Sequence, residues 1–97
     1  MKIINAAKLY EFVLEMPEAE SVINRWVKIA TDSSWMHHHD LKSTFRSADY
    51  VGNSRYVFNI GGNNYRLVAV VVFFAGYIDV RFIGKHKDYD RIDCSKI

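Results

Sequence analysis

An α+β domain is what this sequence predicts, with an N-terminal helical hairpin packed on a small, mainly antiparallel β-sheet and a short helix after the last strand. Three observations carry that expectation. Apolar residues recur at helical spacing only within the first third of the chain, and three apolar strand-like runs follow one another from residue 55. The joints between those runs are so short that neighbouring strands must pair as antiparallel hairpins. The 97 residues make one domain, 1–97, because a second core would have too little chain to build it. That length excludes a multi-domain enzyme. Hydrophobic residues are 49% and charged residues 25% of the chain, a balance that excludes disorder. So small a core leaves little room for an internal cavity, so a site belongs on the surface or in a shallow groove.

Met1 to Ile4 reads as a short edge strand, and Asn5 stands where an N-cap belongs. Leu9, Phe12, Val13 and Met16 then form one helical stripe, ended at Pro17 because the residue before a proline resists the helical region. Pro17 fits the first turn of a second helix, with Glu18 and Glu20 near its positive end. Val22, Ile23, Trp26, Ile29 and Ala30 give that helix its buried face. Residues 31 to 54 are polar and turn-rich, a long connection with Trp35, Leu41, Phe45 and Val51 as anchors and one helical turn around Asp40 to Thr44. Strands follow at Arg55 to Ile60, Tyr65 to Phe74 and Tyr77 to Ile83, joined by Gly61-Gly62-Asn63-Asn64 and Ala75-Gly76. The run YRLVAVVVFF is apolar on both faces beyond its first residues and belongs in the middle of the sheet. A helical turn over Lys85 to Ile92 follows the last strand.

Net charge is +2, but its distribution is uneven. Residues 1 to 54 hold six Lys/Arg against seven Asp/Glu, and residues 55 to 97 hold seven against four. The basic half is also the strand-forming half, which favours a polyanion such as RNA as partner. The single cysteine, Cys94, can close no intramolecular disulfide, and no apolar run approaches the roughly 20 residues of a membrane helix. With no signal-peptide-like start, a cytoplasmic protein without membrane contact is expected.

Arg66 heads a row with Val68, Val70 and Val72 on one face of the central strand, a cation in need of a partner. Asp79, Arg81 and Ile83 share a face of the next strand, so pairing could bring Arg81 near that row. Two guanidiniums there would make a phosphate clamp, unless Arg81 pairs with Asp79 as sheet decoration. In GKHKDYD, residues 84 to 90, His86 lies between Lys85 and Lys87, which would lower its pKa and free the neutral base. If the segment is helical, His86, Tyr89 and Asp90 share a face. Consecutive side chains diverge, so His37-His38-His39-Asp40 is not read as a metal site. GGNN at 61 to 64 precedes a strand and is a hairpin turn, not a phosphate loop. Cys94, Ser21 and Ser95 have no triad context. No metal or cofactor is expected.

The string RYVFNIGGNNYRLVAVV, followed by a strand ending RFIGKHKDYDRID, resembles the HigB-type toxins of bacterial type II toxin–antitoxin pairs. The upstream SSWMHHHDLKSTFRSADYVGN fits the same family, so the resemblance covers about residues 33 to 93. It implies a RelE/ParE-like fold and an mRNA interferase that cuts translated messages on the ribosome, neutralised by an antitoxin protein of the HigA-like, helix-turn-helix kind. It also implies metal-free attack of the RNA 2′-hydroxyl on the adjacent phosphate. The matched positions are Asn59, Asn63, Arg66, His86, Tyr89 and Asp90, while Lys85 and Lys87 depart from what relatives often carry. On this reading His86 is acid or base, Arg66 and Arg81 hold the phosphate, and Tyr89 stacks or positions a proton. Asn59, Lys85 and Lys87 contact RNA, and Asn63 and Asp90 fix geometry. Two alternatives stay open: a ParE-like toxin that binds a DNA topoisomerase, and a non-catalytic RNA-binding module.

Overall fold

The structure is a computed structural model describing residues 1–97. Its elements are β1 (Lys2–Ile4), α1 (Ala7–Glu15), a 3₁₀ turn (Pro17–Ala19), α2 (Glu20–Asp32), α3 (His38–Thr44), β2 (Asp49–Gly52), β3 (Arg55–Ile60), β4 (Tyr65–Val72), β5 (Tyr77–Lys85) and α4 (His86–Tyr89). The five strands form one sheet in the order β1-β5-β4-β3-β2. Every pairing is antiparallel except β1 with β5, the edge where the chain enters. No helix is long and apolar enough to cross a membrane.

Strand alternation divides β4 as its sequence requires. Tyr65, Leu67, Ala69 and Val71 point into the main core, together with Leu9, Ile23, Trp26, Leu41, Phe58 and Ile78. The helices α1 and α2 are joined through the 3₁₀ turn and lie on this face, α1 against β5 and α2 reaching from β3 to β1. Trp26, Phe45 and Phe58 form an aromatic knot between α2 and β3, with Trp26 and Phe58 edge to face at 5.2 Å. The other face of the sheet carries Val57 and Val68, also buried, and α4 lies against β4 and β5. The α+β architecture follows the sequence expectation.

Four local expectations are corrected. Asn5 does not cap α1: it sits at φ 60 and its amide donates to Asp79 at 2.6 Å, tying β1 to β5. Pro17 opens the 3₁₀ turn, and α2 begins only at Glu20. The central strand ends at Val72, because Phe73 to Gly76 make the hairpin turn, where the Gly76 N–H is shared between the carbonyls of Val72 and Phe73. Within the 31 to 54 connection stand a two-turn helix, α3, and a strand, β2, that pairs with β3 and widens the sheet to five.

The histidine run belongs to α3. All three histidines are exposed, and His38 shares a 2.7 Å hydrogen bond with the Tyr56 hydroxyl, its ring stacked on that of Tyr56. The Asp40 carboxylate accepts from the N–H groups of Met36 and His37 at 2.9 and 3.1 Å, satisfying donors at the start of the helix. Those bonds, that to Met36 foremost, hold the Asp40 carboxyl below its usual range. A carboxylate with a depressed folded-state pKa stabilises above its unfolded pKa and loses that contribution as pH falls through the folded one. Asp40→Ala is therefore expected to speed amide exchange across residues 37–44 at neutral pH, with the difference from wild type shrinking as pH falls through the depressed folded-state pKa of Asp40.

Candidate active site

The face of the sheet opposite the three N-terminal helices is where the chemistry-bearing residues gather. Register places Asn59 of β3 beside Arg66 of β4, and Arg66 beside Gly84 of β5. The missing side chain at Gly84 lets the Phe82 ring lie over it, since a Cβ there would meet that ring at 2.7 Å. The Arg66 guanidinium is half-buried and donates to the backbone oxygens of Asn63, at 3.1 Å, and Tyr65, at 3.3 Å. It forms no salt bridge with any carboxylate. A planar cation anchored by neutral oxygens on one side keeps its remaining donors for an anion.

Immediately after β5, α4 delivers the second set. The Lys85 backbone is still extended, and the helix that begins at His86 puts His86 and Asp90 one turn apart. Nδ1 of His86 lies 3.1 Å from the Asp90 carboxylate, both side chains slightly more than half exposed. That contact engages Nδ1 and leaves Nε2 as the ring nitrogen available to a substrate. Tyr89 is half-buried, and its hydroxyl lies 3.5 Å from the sulfur of Cys94. The Cys94 contact, then burial, pushes the Tyr89 phenol up to about 12, with Arg66 opposing the rise and Asp49 adding to it. Arg66 and Asp49 therefore stand within electrostatic reach of this hydroxyl, and the phenol stays protonated at neutral pH.

Each expected site residue has a definite place. Arg66, His86, Tyr89 and Asp90 come together. Asn59 joins their row, but its amide donates to the Ser47 carbonyl at 3.2 Å and so pins the turn before β2. Asn63 contributes its backbone oxygen to Arg66, and its side chain faces solvent. Lys85 and Lys87 are exposed beside His86, and Arg91 joins them. Arg81 is not brought to Arg66. A bulge in β5 between the partners of Val68 and Ala69 leaves it without an opposite residue, and its Nε is paired with Asp79 at 3.0 Å. The decoration reading fits its position.

Two residues of the site escaped sequence reasoning. Asp49 lies in β2, which has no apolar alternation to betray it; its signal was its place in Phe45-Arg46-Ser47-Ala48-Asp49, part of the stretch that fits the toxin pattern. Cys94 gave no signal. Arg66, His86, Tyr89 and Asp90 line none of the surface concavities, which lie between α1 and β5, between α2 and the β3–β4 turn, where Asn59 takes part, and beside the β4–β5 turn. The Arg66 face is thus open and shallow, suited to an extended polymer rather than an engulfed small molecule. No cluster of His, Cys, Asp and Glu is placed to hold a metal ion.

Comparison with known proteins gives a consistent picture. Residues 19–92 match the family described as HigB_toxin, RelE-like toxic component of a toxin-antitoxin system. An mRNA interferase HigB of Escherichia coli O6:H1 is 24% identical over 94 residues, which span 95% of this chain and 91% of that protein. The mRNA interferase toxin HigB of Escherichia coli K12 is 43% identical over 53 residues, 52% of this chain and 50% of that protein. An mRNA interferase HigB of Shigella flexneri matches to the same extent.

Proposed function

The chain belongs to the HigB toxin family of RelE-like toxic components, and from that premise we propose that it cuts translated mRNA on the ribosome as the toxin of a type II toxin–antitoxin pair. The observation that carries the chemistry is an arginine without a carboxylate partner, Arg66, on the same open face as a histidine–carboxylate pair and a protonated phenol. In this reading the RNA 2′-oxygen attacks the neighbouring phosphorus, and the bond from phosphorus to the 5′-oxygen breaks. The products are a 2′,3′-cyclic phosphate and a 5′-hydroxyl end. Arg66 neutralises the charge that builds on the phosphoryl oxygens. His86, with Nδ1 fixed on Asp90, takes the 2′-hydroxyl proton at Nε2 or returns one to the leaving oxygen. Tyr89 acts as a hydrogen-bond donor or stacking surface, since its phenol does not ionise near neutral pH.

Lys85, Lys87 and Arg91 draw the phosphate backbone to α4, and the ribosome supplies the alignment that so open a face lacks. The partner that neutralises the toxin is an antitoxin, of the HigA-like helix-turn-helix kind, and the site of action is the cytoplasm. Induced expression of the chain in a bacterial host is expected to arrest growth and to produce new 5′ ends inside coding regions, read by primer extension. Growth arrest with intact messages and a DNA-damage response would replace this reading by the topoisomerase one.

A further inference from the structure

We propose that Cys94 is a positioning residue: clamped onto the sheet with the rest of segment 93–97, its sulfur fixes the Tyr89 hydroxyl beside Arg66. This deepens the nuclease reading and rests on it for its functional half. Residues 93–97 contain no regular element, yet they are tied down by three side chains from outside and braced from within. Asp93 folds the backbone around Cys94, its carboxylate accepting from the Ser95 N–H at 3.1 Å and the Ser95 hydroxyl at 2.7 Å. Asn53 donates to the Ser95 carbonyl at 3.0 Å. Arg55 donates through Nε and Nη2 to the Ile97 backbone oxygen at 3.1 and 2.9 Å, and Arg81 reaches the same oxygen at 3.4 Å. Two guanidiniums thus serve one backbone oxygen, Arg55 doing so from the same face of the sheet as Arg66.

The clamp is built on a constrained turn. Asn53 and Ser54, between β2 and β3, take φ values of 51° and 63°, a region that side chains other than glycine seldom adopt. That conformation turns Asn53 onto the segment while Arg55 begins β3. Cys94 lies between Asp93 and Ser95, which the Asp93 carboxylate draws together around it, and directly before the clamped Ser95 carbonyl, so its sulfur has little freedom. It is the hydrogen-bond partner of the Tyr89 hydroxyl, half-buried like the phenol itself. A phenol that has rotated away could neither donate to a phosphoryl oxygen nor offer a fixed face to a base, so holding it there contributes to orientation rather than to proton transfer. The raised Tyr89 pKa agrees with this geometry, the contact with Cys94 being its first cause.

The test uses full-length chain with ¹³C-labelled tyrosine, comparing wild type, Cys94→Ala and Cys94→Ser, with Tyr89→Phe to assign the Tyr89 ring signal. In wild type the Tyr89 signal is expected to stay that of the neutral phenol until the pH nears about 12, whereas in Cys94→Ala it titrates at clearly lower pH, with burial left to hold it above the ordinary value. Cys94→Ser, which keeps a hydroxyl in place of the thiol, should restore most of the delay. In a translation reaction programmed with mRNA, Cys94→Ala should cleave about 10-fold more slowly than wild type, and Cys94→Ser should recover most of the loss. An unchanged Tyr89 titration in Cys94→Ala overturns the proposal, as does normal cleavage by that variant. Wild type that fails to cleave removes the nuclease reading instead, and the titration then decides alone whether Cys94 holds the phenol. Should Cys94→Ala unfold, a Tyr89 signal in Cys94→Ser that titrates together with the exposed tyrosines overturns the proposal equally.

Discussion

Replacing Arg66 with alanine is expected to lower message cleavage by about 100-fold or more, and with it toxicity, while the protein stays folded. The asymmetry follows from where the side chain sits. Arg66 is half-buried, bonded only to two backbone oxygens, and engaged with no carboxylate, so its loss leaves no buried charge unpaired. Its stability cost should not exceed about 1–2 kcal/mol. Its cost to the reaction is larger because nothing else on that face can take its place. Arg81 is committed to Asp79 and Ile97, and the lysines near His86 are exposed point charges on flexible stems. Growth curves and thermal melts of the same variant read the two effects separately. An unfolding transition that collapses would make Arg66 a structural residue after all.

The opposite pattern is expected at Phe58. This ring is 1% exposed and lies between Trp26, Phe45 and Tyr56, where α2 meets the sheet. Phe58→Ala removes a large side chain from a site that cannot collapse around the gap, at a cost of about 3–5 kcal/mol. Domains of this size hold only about 5–15 kcal/mol in all, so the variant should melt far lower and be lost from cells by proteolysis. Toxicity should disappear together with soluble protein. Denaturant unfolding checks the number, and a variant that melts like wild type would show that the aromatic knot does not hold the helices to the sheet.

The contrast between the two variants mirrors what could be read from sequence. The stripe Leu9, Phe12, Val13, Met16 announces a helix because burial of one face imposes a period, and the run YRLVAVVV announces a central strand because burial of both faces makes it continuously apolar. β2 has no such period. Its Asp49 and Tyr50 face solvent, and only pairing with β3 makes it a strand. Arg66 was legible as a cation heading an apolar row, and His86, Tyr89 and Asp90 as one turn of helix. Arg81 was misleading because alternation counts residues evenly, and the β5 bulge breaks that count between Val80 and Phe82. Cys94 was invisible for a different reason. Its contact depends on side chains of a turn some 40 residues earlier gripping a segment without regular structure.

The most direct measurement is end analysis of mRNA from a purified translation reaction to which the chain has been added. If the Arg66 face transfers the phosphoryl group to the RNA's own 2′-oxygen, cuts will fall within the translated region. The downstream fragments will then begin with a 5′-hydroxyl, labelled by polynucleotide kinase without prior phosphatase treatment, and will be absent with Arg66→Ala. Intact message with folded wild-type protein, or fragments beginning with a 5′-phosphate, would contradict the account.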